Sequence, residues 1–216
     1  MVHNLSSTNN LVSCWVRELR DVTIQTDSAR FRRNMERIGE VAAYEISKLL
    51  DYQKVAIETP IMGTVGLEPA SQPVLATIMR AGLPLYQGLL NYFDKADSAF
   101  IGAYRKHNSD GSFVIDQHYM ASPSLNGRPL ILADPMLATG ASMVLALKSL
   151  LEYDQPTQLH IVCAIASKAG ILYLENNFPN AHIWVAAIDE TLNSSAYIVP
   201  GLGDAGDLSF GKKRQQ

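Results

Sequence analysis

The chain has 216 residues, 47% apolar and 18% charged, a composition that excludes a disordered segment and fits one globular domain spanning 1–216. Eighteen Lys and Arg against 21 Asp and Glu give a formal net charge of -3, so no global basic field marks a dedicated nucleic-acid binder, and no nucleic acid is expected as a partner. Two cysteines, Cys14 and Cys163, both in apolar stretches, exclude a disulfide framework; no apolar run can span a bilayer and the polar residues 1–10 carry no signal pattern, so a cytoplasmic protein without membrane contact is expected.

Residues 1–26 read as an N-terminal extension. Residues 27–51 read as a long amphipathic helix. Phe31, Met35, Ile38, Val41, Ala42, Ile46 and Leu49 recur on one face, and Arg32, Arg33, Glu36, Arg37 and Glu40 fill the other. Asp27 or Ser28 can cap its start. This helix packs on the core and is also placed to join a subunit interface. Beyond it, short apolar strands alternate with helices. Strands are expected at 54–58, 73–79, 98–104, 129–133, 158–166 and 182–188, and helices at 83–93, 141–152 and 169–176. A Pro/Gly-rich turn runs through Pro60, Gly63 and Gly66. A polar loop covers 105–111, and 113–120 is extended. Such alternation implies an α/β fold with a mostly parallel sheet flanked by helices. Ligands bind such sheets beyond the carboxyl ends of the strands.

The most informative stretch is Leu130-Ile131-Leu132-Ala133-Asp134-Pro135-Met136-Leu137-Ala138-Thr139-Gly140-Ala141-Ser142. An apolar strand delivers Asp134 to the sheet edge, and the chain then turns into a helix. The helix N-terminus favours a phosphate through its free N–H groups and dipole. The Thr139 and Ser142 hydroxyls add donors. The same residues also fit a plain strand-to-helix connection in which Thr139 only caps the helix.

Met79-Arg80-Ala81-Gly82-Leu83 lies between a strand and a helix. An arginine on a small-residue turn can wrap a diphosphate with its guanidinium fork. An ordinary turn with an exposed arginine fits equally. Gly102-Ala103-Tyr104-Arg105 ends another strand, and Arg105 fits either a ligand contact or a solvated strand end. Near the C-terminus, Tyr197-Ile198-Val199-Pro200-Gly201-Leu202-Gly203-Asp204-Ala205-Gly206-Asp207 is too rich in glycine for a regular element. It suits a backbone that comes close to a flat ligand, or a loop that only closes the fold. His3, His107, His118, His160 and His182 show no metal-ligand spacing, and Lys212-Lys213-Arg214 reads as a solvated charge cluster.

Residues 130–142 resemble the 5-phosphoribosyl 1-diphosphate (PRPP) signature of the type I phosphoribosyltransferases. The broad family carries two adjacent acidic residues at this strand end. Here the second is Pro135, and Asp134 to Gly140 resemble the uracil phosphoribosyltransferase branch. That branch commonly continues Gly-Gly-Ser after the threonine, whereas this chain has Gly140-Ala141-Ser142. The added methyl is mild if Ala141 has a negative φ and costly if φ is positive. The Arg80 turn and residues 197–207 resemble the same branch, and the resemblance runs from about Arg30 to Lys212.

The resemblance implies a type I phosphoribosyltransferase-like fold with a flexible hood at 105–120 and a uracil-recognition loop and C-terminal segment at 189–211. It implies a pentosyltransferase of pyrimidine salvage that converts uracil and PRPP to UMP and diphosphate. Arg80, Arg105, Asp134, Pro135, Met136, Leu137, Ala138, Thr139, Gly140, Ala141, Ser142 and Asp204 would bind PRPP. Ile198, Gly203, Asp204 and Ala205 would bind uracil. Asp134, Arg105 and Asp204 would serve catalysis, and Asp189 would support the site. Mg2+ would arrive on PRPP, with no metal ligands from protein side chains. A homodimer or higher homo-oligomer is expected. An RNA-binding regulator of pyrimidine genes on the same fold is the alternative. An enzyme for hypoxanthine or orotate is opposed by Pro135 and by the C-terminal loop.

Overall fold

The structure, a computed structural model, describes residues 1–107, 113–152 and 154–213, with the backbone alone for those between 103 and 118. In chain order its elements are β1 (Val2–Asn4), α1 (Leu11–Arg20), α2 (Ser28–Ser47), β2 (Tyr52–Glu58), β3 (Gly63–Pro69), β4 (Val74–Met79), α3 (Leu83–Leu90), β5 (Asp97–His107), β6 (Phe113–Ala121), β7 (Leu130–Ala133), β8 (Met136–Leu137), α4 (Ala141–Leu150), β9 (Leu159–Ser167), α5 (Lys168–Asn177), β10 (His182–Asp189), β11 (Thr191–Leu192), β12 (Ile198–Val199) and α6 (Ala205–Phe210). The main sheet runs β1-β10-β9-β7-β4-β5-β6, and the short β8 joins it through β9. Its pairs are parallel except β5 with β6.

Both faces of the sheet are covered, and the strand period of two decides which residue goes where. Leu130 and Leu132 of β7 and Ile161 and Cys163 of β9 pack with Val144 and Leu147 of α4 and Leu174 of α5. Ile131 and Ala133, with Val162 and Ala164, face the other way and pack with Leu19 of α1, Ile38 of α2 and Leu85 of α3. Each fully buried Leu or Ile contributes about 1.5–3 kcal/mol relative to exposure. Asp27 caps α2 by accepting from the Arg30 N–H at 3.0 Å. Glu18 of α1 accepts from Arg30 at 2.6 Å and from Asn34 at 2.7 Å, which ties α1 to α2. The hydrogen bond from Arg30 is the main reason its carboxyl falls to about 2.

Several expectations need correction. Residues 1–26 are more than an extension: β1 adds an edge strand to the main sheet, and α1 buries Val12, Val16 and Leu19. The strand expected at 54–58 does not enter the main sheet. It pairs antiparallel with β3, and Gly63 and Gly66 lie inside β3 rather than in a turn. Arg105 to His107 belong to a strand rather than a loop, because β6 supplies partners for their backbone groups. Cys14 is exposed on α1, since its position falls between Val12 and Val16 on the outward side, while Cys163 is buried.

One polar cluster lies at the amino end of the strands, away from their carboxyl edge. His160 is buried and accepts from the Trp184 indole N–H at 3.2 Å, while its other nitrogen meets Gln158 Oε1 at 3.0 Å. His3 stacks on Trp184 at 3.9 Å and its Nε2 lies 3.1 Å from His182 Nδ1. Burial, with His182 and His3 nearby, pushes His160 down to about 3.

Candidate active site

The carboxyl ends of β7, β4 and β10 carry the three segments singled out from the sequence. β7 ends at Ala133, and the Asp134 N–H donates to Val162 O at 3.1 Å. Asp134 is half-buried, and its charge adds to burial in pushing the Cys163 thiol well up. The chain is then sewn to β9. Pro135 O accepts from the Ala164 and Ile165 N–H groups at 3.1 and 2.9 Å, and Met136 and Leu137 pair with Ile165 and Ala166. Leu137 and Ala138 are buried, so their side chains are part of the core rather than of a ligand surface. Ser167 Oγ donates to Ala138 O at 2.6 Å, which fixes the start of the turn.

Gly140 makes the turn into α4 with φ +82°, in the left-handed region that glycine tolerates. A Cβ there would stand 3.0 Å from the Tyr173 ring and 3.1 Å from Gly170 O. Thr139 Oγ1 accepts from the Ala141 N–H at 3.3 Å. Among the described residues Ala196 is the one non-glycine with positive φ, so Ala141 carries its extra methyl without strain. Ser142 is half-buried in the first turn of α4. Free backbone N–H groups and the dipole at such a helix end favour negative charge.

The second segment follows β4. Gly82 packs so tightly that a Cβ would run into Thr77 Oγ1 and stand 2.7 Å from Ala133 O, so β4 and β7 deliver Arg80 and Asp134 side by side. Arg80 is exposed; its guanidinium lies 3.3 Å from Asp207 Oδ1 and 3.5 Å from Gly211 O. The third segment closes over that turn. Asp204 caps α6 by accepting from the Asp207 N–H at 2.9 Å, and its other oxygen is 3.4 Å from Lys213 Nζ. Lys212 and Lys213 are exposed, Lys213 reaching Asp204 from the solvent side at 3.4 Å, and Arg214 lies outside the described residues. A Cβ on Gly206 would come within 3.7 Å of Ala81, which measures how closely α6 abuts the Arg80 turn. Ile198 and Ala205 are buried, and Gly203, φ +93°, borders open space.

The structure brings Arg80, Asp134, Thr139 to Ser142 and Asp204 to one edge of the sheet. The Arg105 backbone lies in β5, while its side chain lies outside the described residues, as do 108–112 of the expected hood. Among the described residues no group of three or more His, Cys, Asp or Glu is arranged to hold a metal. No helix among them is long and apolar enough to cross a membrane. Sequence reasoning missed Arg20 and Gln25, which reach the C-terminal loop from α1 and the turn after it. No local motif flags them, because their partners lie more than 160 positions away.

Comparison with known proteins decides the family. A family model described as uracil phosphoribosyltransferase matches residues 6–212. The chain belongs to the uracil phosphoribosyltransferase family. A family relative of that name from Porphyromonas gingivalis is 50% identical over 98% of this chain and 99% of its own length. Another, from Thermococcus gammatolerans, is 37% identical over 90% of this chain and 86% of its own. A solved Aquifex aeolicus protein superimposes with a TM-score of 0.87 at 29% identity, covering 98% of both chains. The adenine phosphoribosyltransferase of Trypanosoma brucei shares the fold, with a TM-score of 0.54 at 10% identity over 90% of this chain and 86% of that one. The mostly parallel sheet with flanking helices is therefore the type I phosphoribosyltransferase architecture.

Proposed function

We propose that this member of the uracil phosphoribosyltransferase family transfers the 5-phosphoribosyl group of PRPP to N1 of uracil, releasing UMP and diphosphate. The observation that carries the reading is the convergence of the Asp134–Ser142 turn, the Arg80 turn and the glycine-rich C-terminal loop at one sheet edge. In this reading the 5-phosphate sits on the backbone at 139–142, where α4 begins. Asp134 faces the ribose and offsets positive charge that grows on the sugar as the diphosphate leaves. Arg80 releases its contacts to Asp207 and Gly211 and meets the diphosphate, with Arg105 as a second cation. Residues 198–205 hold uracil against the anomeric carbon, so positioning and electrostatics supply most of the acceleration. Asp204, between base loop and Arg80 turn, is suited to accept the uracil proton.

A divalent cation, Mg2+ in this reading, supplies further charge against the leaving diphosphate. A site with scattered carboxylates fits a cation that brings most of its oxygen ligands from PRPP and water. The chain is also inferred to assemble at least as a homodimer. A two-stranded ribbon is marginal alone in water, and the β2–β3 hairpin exposes Ile57, Ile61, Met62, Val65 and Leu67, with Ile61 92% exposed. A second copy covers such a patch. The family match favours this enzyme over an RNA-binding regulator. Incubating the protein with PRPP, Mg2+ and single free bases, then separating products by chromatography, tests the reading. UMP from uracil is expected, and a nucleotide from hypoxanthine or orotate but none from uracil would refute it.

A further inference from the structure

We propose that Arg20 and Gln25 are positioning residues for the base, holding the backbone of the C-terminal loop in the conformation that reads uracil. This rests on the function proposed above and extends it to the N-terminal segment. Loop side chains offer few donors or acceptors, so backbone groups must read the base. A backbone reader works only if it is held to a few tenths of an ångström. Something must hold it, and a strand ladder does not: β12 is two residues long and ends at Val199.

The hold comes from a closed ring of hydrogen bonds. Arg20 grips the Asp189 carboxylate with both terminal guanidinium nitrogens, Nη2 at 2.7 Å and Nη1 at 2.8 Å. The same Arg20 Nη1 donates to Gly201 O at 2.9 Å, and the Gly201 N–H donates to Asp189 Oδ2 at 2.9 Å. One residue of the loop thus has both backbone groups tied to a single ion pair, with Asp189 buried at the end of β10. Gly201 itself is buried with φ +61°, and a Cβ there would strike Ile198 O. Gln25 Nε2 fixes the next carbonyl, Leu202 O, at 3.2 Å, and is itself anchored on Leu19 O at 2.8 Å.

This arrangement sorts the loop's backbone groups. The Gly201 N–H is spent on Asp189, and Gly201 C=O and Leu202 C=O are each held in place by a donor of the clamp. Gly203, the residue after the clamp, borders open space. Arginine suits the task because its planar fork fixes two acceptors at once, which a lysine ammonium does not.

The test compares substrates in the full-length protein. Arg20→Lys and Gln25→Met should each raise the KM for uracil, measured at saturating PRPP, about tenfold and about threefold. Calorimetric affinity for PRPP should stay within about twofold. In Arg20→Ala, added guanidinium should bring the uracil KM back down at least threefold, and methylammonium should not. Removing Arg20 altogether leaves Asp189 without its ion partner, so Arg20→Ala is the variant most prone to unfold. If it does, Arg20→Lys and Gln25→Met decide. An unchanged uracil KM in both, or equal losses of uracil and PRPP binding, would overturn the positioning role. Parent protein that makes no UMP would overturn the function, and this inference with it.

Discussion

Gly140→Ala adds one methyl group at the turn that leads into α4. Gly140 has φ +82°, where an alanine costs about 1–2 kcal/mol. Its Cβ would stand 3.0 Å from the Tyr173 ring and 3.1 Å from Gly170 O. The ring can swing aside, but the Gly170 carbonyl is backbone of α5 packed on Ala138, so the turn must shift. Crowding of that kind adds about 1 kcal/mol. The sum, about 2–3 kcal/mol, should lower Tm by roughly 4–12 °C in a domain of this size. The shifted N–H groups should also lose PRPP, at least tenfold in Kd, equivalent to about 1.4 kcal/mol. Gly127→Ala is the control. It has φ +74° with nothing within 4 Å of its Cβ, and it lies in the loop before β7, at the opposite edge of the sheet. It should cost only the strain, about 1–2 kcal/mol, and leave PRPP affinity alone. Thermal unfolding and calorimetry read both effects. A Gly140→Ala protein as stable as the parent would refute the strain argument. A folded one with parental PRPP affinity would remove this turn from the phosphate site.

Three further outcomes are expected. Asp134→Asn keeps size and fold but removes the charge at the ribosyl centre, so kcat should fall at least a hundredfold while uracil binding changes little; steady-state kinetics with parental turnover would exclude Asp134 from the mechanism. His160 is held neutral in the folded state, so the unfolded chain binds the extra proton below pH 6.5; its contribution is full above that pH and falls as pH drops, by about 2 kcal/mol at pH 5. His160→Gln should flatten that acid-side slope in urea titrations, and an unaltered slope would contradict the assignment. Ile61→Asp with Val65→Asp charges the exposed hairpin and should convert a sedimenting dimer or larger species to monomer, whereas a monomeric parent would contradict the assembly.

Much of the fold was legible because strand and helix periods were clean. β4, β7, β9 and β10 are near-continuous apolar runs, and such runs in a parallel sheet are buried on both faces. Segments whose structure depends on distant partners were not legible. β1 forms only because β10 offers an edge to Val2 through Asn4, and β3 because β2 is beside it. In the site, Asp134, Arg80 and the C-terminal loop stood out because unusual local composition marks them. Arg20 and Gln25 did not, since an arginine at a helix end is ordinary until Asp189 and Gly201 are folded against it. The place of the Leu137 and Ala138 side chains was also hidden: both are buried in the core.

The most direct measurement is the ratio of kcat/KM for uracil and cytosine with PRPP and Mg2+. A backbone C=O that accepts from uracil N3–H meets an unprotonated nitrogen in cytosine, and an N–H that donates to O4 meets an amino group. Each mismatch leaves a buried polar group unpaired at about 1–3 kcal/mol. Together they amount to roughly 2–6 kcal/mol, or about 30-fold to more than ten-thousandfold discrimination. Uracil should be used within that margin over cytosine, and 5-fluorouracil, altered away from both groups, should remain a substrate. Equal efficiency for uracil and cytosine would contradict backbone reading of the base by Ile198, Gly203 and Ala205.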